Sequence, residues 1–128
     1  MDALLQSGEV KSGGLALQIG FGAGLAFAHK YKGDGGLAMA YMGDGAFNQG
    51  QVYESFNMAE LWRLPVIYVI ENNRYAYSTP VSEQFAAGTE LWKRAAGYNM
   101  EGFALDCTGD VGHIAGTLAA AIEKVRTT

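Results

Sequence analysis

Cysteine and proline are nearly absent from this chain, at one and two residues in 128, and the cysteine shortage removes two classes of protein. A lone Cys107 excludes an internal disulfide and a cysteine zinc cage, and suits a reducing compartment. No apolar run approaches the roughly 18–20 residues that a membrane span needs. Acidic Asp2 and Glu9 flank the only short apolar stretch near the start, so no secretory signal is expected. Basic residues are also scarce. Nine Lys and Arg against thirteen Asp and Glu give a net charge of −4, and without a basic cluster a nucleic-acid partner is not expected. The charged share of 17% and hydrophobic share of 49% are those of a folded globular chain, not a disordered one. The length fits a single domain over residues 1–128.

Glycine is what the chain has in excess. Eighteen glycines are more than double the ordinary usage of about 7%, and they are clustered rather than dispersed. Clustered glycine points to close backbone approach and ligand loops. There is no internal repeat.

Leu17, Phe21, Gly24, Leu25 and Ala28 fall at helical spacing, which predicts a helix over about 16–31. The apolar run 37–42 predicts a strand covered on both faces. A second helix follows over about 48–63, with Val52, Phe56, Ala59 and Trp62 on one face. Residues 65–70 form the clearest strand, β-branched and aromatic, opened by a tolerated proline. A third helix is expected over 83–96 and a short strand over 103–106. Ile114, Leu118, Ala121, Ile122 and Val125 then draw a last helical stripe. Strands alternating with helices predict an α/β fold, a small, mainly parallel sheet flanked by helices. Its open edges predict association with a partner or a second copy. Gly20 and Gly24 would permit a close helix contact between chains, or equally a helix packed tightly on its own sheet.

Ligands of open parallel sheets bind beyond the carboxyl ends of the strands. That rule separates two identical tripeptides. Gly33-Asp34-Gly35 leads into a strand and is expected to be a turn, whereas Gly43-Asp44-Gly45 leaves one. Glu71-Asn72-Asn73 leaves the next strand at the same edge. An Asp, an Asn and a backbone carbonyl suit Mg²⁺ or Ca²⁺ rather than zinc, and glycines with a helix start beside them favour a phosphate. From position alone, Asp-Gly and Asn-Asn read equally well as ordinary turns.

A longer pattern goes further. Gly43-Asp44-Gly45-Ala46-Phe47-Asn48-Gln49-Gly50-Gln51, continued through Glu54, Asn57-Met58-Ala59 and Leu61-Trp62-Arg63-Leu64-Pro65 to Glu71-Asn72-Asn73-Arg74-Tyr75, resembles the alpha subunit of the pyruvate dehydrogenase first component and its acetoin dehydrogenase relatives. The resemblance covers about positions 20–85. It implies the thiamine diphosphate-binding fold and oxidative decarboxylation of pyruvate or a related 2-oxo acid, with acyl transfer to lipoyl groups. It also implies Mg²⁺ held by Asp44, Asn73 and the Tyr75 main-chain oxygen, with the Gly45 and Ala46 amides facing the diphosphate. Weaker matches at Gly13 and Leu15 would set backbone beside the aminopyrimidine ring. The implied partner is a beta subunit carrying the pyrimidine-binding domain, or else a second copy, and the implied location is bacterial cytoplasm or mitochondrial matrix. Ala16 and Gly20 stand where the family usually has glycine and proline. The family's regions upstream of Gly13 and its downstream phosphorylation loop have no counterpart, so the chain is expected to be the diphosphate-binding core of a longer subunit. It also lacks an activating glutamate, so it is expected to be inactive alone.

Other residues carry plainer expectations. His29 and His113 are expected to be solvated, and Glu54 to be a surface or capping group. Asp106 and Asp110 are placed to cap the last helix, and Trp62 and Trp92 to serve as core or interface anchors. Two rivals remain. One is a dinucleotide-binding module, with residues 15–19 as a strand and Gly20-Phe21-Gly22-Ala23-Gly24 as the phosphate turn, though Ala26 falls one position off the expected spacing. The other is an assembly module that keeps the fold and binds nothing.

Overall fold

The computed structural model describes residues 17–86 and 88–127. Helix α1 (Leu17–Lys32) leads through a glycine turn into β1 (Ala38–Gly43). A 3-10 turn (Ala46–Asn48) and α2 (Gly50–Leu61) follow, then β2 (Val66–Glu71). A small hairpin, β3 (Tyr75–Ala76) and β4 (Thr79–Pro80), runs straight into the single turn α3 (Val81–Gln84). A 3-10 helix (Leu91–Tyr98) and α4 (Val111–Thr127) complete the order. β1 and β2 pair in parallel, from Ala38 opposite Val66 to Gly43 opposite Glu71. The α/β class therefore holds.

Four local expectations fail, each for a tertiary reason. The stripe assigned to α1 is not its buried face. Ile19, Gly22, Ala23 and Ala26 are buried, whereas Phe21 and Gly24 are exposed. Small residues, not large ones, mark this interface. A Cβ on Gly22 would lie 2.7 Å from the Cβ of Ala40, so the helix rests almost directly on β1. β1 is also covered on one face only: Ala38, Ala40 and Met42 are buried, and Tyr41 is exposed. The third helix is broken. Phe85 is extended and buried, pinned in the core, and Gly88 has φ +63, so α3 ends and a 3-10 helix begins only at Leu91. The strand at 103–106 does not form. A strand needs a paired edge to satisfy its backbone. This segment instead follows Gly102, where a Cβ would lie 2.4 Å from the Trp92 carbonyl oxygen.

Two clusters make the core. One gathers Ile19, Met42, Val52, Val81 and Phe85 around Phe47 and Phe56. The other joins Ala23, Ala26, Ala38, Ala59, Leu64 and Val66. α1 also caps α2, because Lys30 Nζ donates to the carbonyls of Trp62 and Arg63 at 2.5 and 3.1 Å, placing a cation at a helix C-terminus. α4 buries no residue fully. Its predicted stripe is half-buried throughout. Asp110 caps its start by accepting from Gly112 N–H at 2.9 Å, while Asp106 instead holds the turn at Thr108.

Substitutions along α1 should have opposite signs. Gly22→Ala forces a methyl into Ala40 and should lower stability by about 1–3 kcal/mol, the usual cost of overpacking. Gly24→Ala meets nothing within 4 Å and should raise it by up to about 1 kcal/mol, because alanine is the better helix former. Thermal denaturation of both variants tests this; equal effects would show that α1 does not sit on β1 as described.

Candidate functional site

Parallel pairing brings the ends of β1 and β2 to one edge, with Gly43 opposite Glu71. Asp44 is therefore the first residue beyond the sheet, and its backbone N–H donates to the Glu71 carbonyl at 3.2 Å. The following turn closes through Phe47 N–H to the Asp44 carbonyl and Asn48 N–H to the Gly45 carbonyl. Phe47, 1% exposed, anchors it, with its ring against Tyr53, Phe56 and Phe85.

The Asp44 side chain is held in this turn at 3% exposure. One carboxylate oxygen, Oδ1, accepts from Gly45 N–H at 2.8 Å. The other, Oδ2, is buried and has no hydrogen-bond partner, alone in this among the side-chain atoms of the described residues. A buried acceptor without a donor is costly, more so when charged. An ordered water or a cation would relieve it.

The second segment folds over the first. Asn72 Oδ1 accepts from Arg74 N–H at 3.0 Å, and Asn73 Oδ1 from Tyr75 N–H at 2.9 Å. Both asparagines thus make Asx turns. Each carbonyl oxygen keeps a second lone pair for another partner. The turns swing the chain into the β3–β4 hairpin, with Arg74 and Tyr77 at φ +70 and +59. Ala76 then lies where Gly45 would carry a Cβ, 2.3 Å from that point. Gly45 is thus required by the approach of the hairpin. The sequence gives no sign of this contact, because Ala76 belongs to no spacing pattern with Gly45.

The other tripeptide is only a turn. Asp34 lies at the opposite sheet edge, exposed, accepting from Gly36 N–H at 2.9 Å and meeting His29 Nδ1 at 2.8 Å. The Gly36 amide, and next the His29 hydrogen bond, hold its carboxyl below the usual range. His29, expected to be solvated, is half-buried and has a partner five residues away. Gly33 and Gly35 supply the left-handed positions, at φ +64 and +71.

His113, Glu54 and Cys107 are exposed. Trp62 is 44% exposed and packs on Phe27 at 5.7 Å. Gly13, Leu15 and Ala16 lie outside the described residues. The dinucleotide alternative fails, because Gly20–Gly24 lie inside α1 rather than in a turn at a strand end.

The family model for the dehydrogenase E1 component matches residues 9–126. The chain belongs to that family. It is similar to the pyruvate dehydrogenase E1 component subunit alpha of Rhizobium meliloti, 55% identical over 89 residues that make up 70% of this chain and 25% of the relative. The corresponding Zymomonas mobilis subunit is 49% identical over 115 residues, 90% of this chain and 32% of the relative. The mitochondrial subunit of Saccharomyces cerevisiae is 52% identical over 83 residues, 65% of this chain and 20% of the relative. The chain thus spans a third or less of the length of these relatives. No helix among its described residues is long and apolar enough to cross a membrane.

Proposed function

We propose that this chain holds the diphosphate end of thiamine diphosphate through Mg²⁺, as the cofactor-binding core of a pyruvate dehydrogenase E1 alpha subunit. The observation that carries this reading is the buried, unpartnered Oδ2 of Asp44 at the carboxyl edge of a parallel sheet. Asp44 supplies the anionic ligand, and the Asn73 side-chain oxygen and the Tyr75 carbonyl supply neutral ones. This set of hard oxygen donors fits Mg²⁺, which keeps phosphate oxygens and water among its ligands. Gly45 and Ala46 offer amides to the diphosphate, although the Gly45 N–H is shared with Asp44. By the family resemblance, backbone at Gly13 and Leu15 would stand beside the aminopyrimidine ring.

When bound, thiamine diphosphate supplies the nucleophilic carbon for decarboxylation of a 2-oxo acid such as pyruvate, with the acyl group passing to a lipoyl carrier. The part of this chain is to bind and orient one end of it. Its partner in the reading is a beta subunit with the pyrimidine-binding domain, in bacterial cytoplasm or mitochondrial matrix. Calorimetry with thiamine diphosphate, with and without Mg²⁺ and in parallel with NAD, tests the reading. Binding that requires Mg²⁺ and is absent for NAD is expected, and no binding in any arm would leave an assembly module.

The groove between α1 and α2 supports the partner. Its lining includes Gly20, Gly24 and the exposed apolar residues Phe27, Met58 and Trp62. Contiguous apolar surface of this kind is usually covered. Without its beta subunit the chain should therefore self-associate, sedimenting as a dimer or larger species at micromolar concentration. A monomer whose stability is independent of concentration would refute this.

A further inference from the structure

We propose that Asn48 is a positioning residue that fixes the two halves of the cation site at the spacing Mg²⁺ requires. This rests on the reading of Asp44, Asn73 and Tyr75 given above. The Asp44 turn and the hairpin bearing Asn73 and Tyr75 come from different strands. A small ion that takes its ligands at about 2.0–2.1 Å in near-octahedral geometry tolerates little drift between them.

The backbone bond from Asp44 N–H to the Glu71 carbonyl ties the strand ends, but the hairpin extends beyond it. Ala76 against Gly45 sets only a closest approach. Asn48 supplies a directed link. Its Nδ2 donates to the Gln84 carbonyl at 3.2 Å. Gln84 Nε2 donates in turn to the Thr79 carbonyl at 2.6 Å, and Val81 N–H donates to the Arg74 carbonyl at 2.9 Å. The link thus runs from the Asp44 turn, through the base of the hairpin, to the neighbour of Asn73.

The opposite end of the Asn48 amide is fixed as well. Its Oδ1 accepts from Arg94 at 3.3 Å. The Arg94 guanidinium lies 4.5 Å from the centroid of the Phe85 ring and also donates to the Tyr53 hydroxyl. Cation–π stacking and two hydrogen bonds leave that group little freedom. An amide donates and accepts at once, and a carboxylate only accepts, so the position calls for asparagine rather than aspartate.

Asn48 is exposed, and a surface bond with no role beyond the fold is the alternative. The two explanations differ over ion size. Ca²⁺ accepts flexible geometry at about 2.3–2.6 Å, so loosening the hairpin should harm Mg²⁺ more than Ca²⁺. The experiment is calorimetric titration of thiamine diphosphate at fixed Mg²⁺ or Ca²⁺ into the full chain and its variants. Loss of supporting groups behind metal ligands typically weakens metal binding by about 10–100-fold. Asn48→Ala should lose at least about tenfold with Mg²⁺ and markedly less with Ca²⁺. Asn48→Asp should behave like Asn48→Ala, while Asn73→Ala should lose binding with both ions. If Asn48→Ala unfolds, Gln84→Ala, which removes only the bond to Thr79, carries the same expectation. Unchanged Mg²⁺ affinity, or equal loss with both ions in folded variants, overturns the inference and leaves the cofactor reading standing. Absence of metal-dependent binding in the parent chain overturns both.

Discussion

Asp44→Asn should abolish Mg²⁺-dependent binding of thiamine diphosphate and yet leave the metal-free protein at least as stable as the parent. The expectation follows from Oδ2, which is buried and unpartnered. An unpaired buried charge costs several kcal/mol even after relaxation, whereas an unsatisfied neutral amide in the same place costs about 1–3 kcal/mol. Asparagine keeps the shape and the oxygen that accepts from Gly45 N–H. It therefore relieves the charge without opening a cavity. The cation, however, loses its only anionic protein ligand in the proposed set, leaving an amide and a carbonyl to compete with water for a strongly hydrated ion. The loss of affinity should exceed about a hundredfold, the upper end for groups that merely support a ligand. Calorimetry gives the affinity, and thermal denaturation in chelator gives the stability. Asp34→Ala should bind as the parent does, because Asp34 lies at the opposite edge with His29 and Gly36 as its partners. Parent-like binding by Asp44→Asn would remove Asp44 from the site.

On the reading proposed above, the isolated chain should show no measurable 2-oxo acid dehydrogenase activity, even with cofactor and Mg²⁺ bound. The reaction needs a carboxylate positioned to exchange a proton with the aminopyrimidine ring of the cofactor, buried so that its proton affinity suits the task. No glutamate among the described residues is buried. Glu60 is half-buried but engaged with Arg63 and Asn99. Glu90, Glu101 and Glu123 pair with Lys93, Lys124 and Arg126 at the surface. Glu71 stands at the end of β2, where in the proposed reading it would lie near the diphosphate rather than the ring. The family resemblance implies that this glutamate would come from a beta subunit. The assay is pyruvate-dependent reduction of an artificial electron acceptor, with and without that subunit. Robust turnover by the chain alone would mean that one of these glutamates has been wrongly set aside.

Sequence by itself determined the family, the α/β class and the edge at which Asp44 and Asn73 lie. Each of these follows from short-range signals. A β-branched run makes β2, a glycine tripeptide ends β1, and parallel strands joined by a helix must end at the same edge. That Asp44 follows a strand while Asp34 precedes one was legible for the same reason. Tertiary structure decided what depends on neighbours far along the chain. The face of α1 that packs is the one with Gly22, because Ala40 lies beneath it, not the one with the larger side chains. Phe85 is extended because the Phe47 cluster holds it, and that contact breaks a helix which local spacing favoured. Residues 103–106, expected as a short strand, form none, because a backbone becomes a strand only where another edge accepts its hydrogen bonds. The unpartnered oxygen of Asp44 is of this kind too. Whether a carboxylate oxygen is solvated, paired or left without a donor depends on what packs around it, which no local spacing shows.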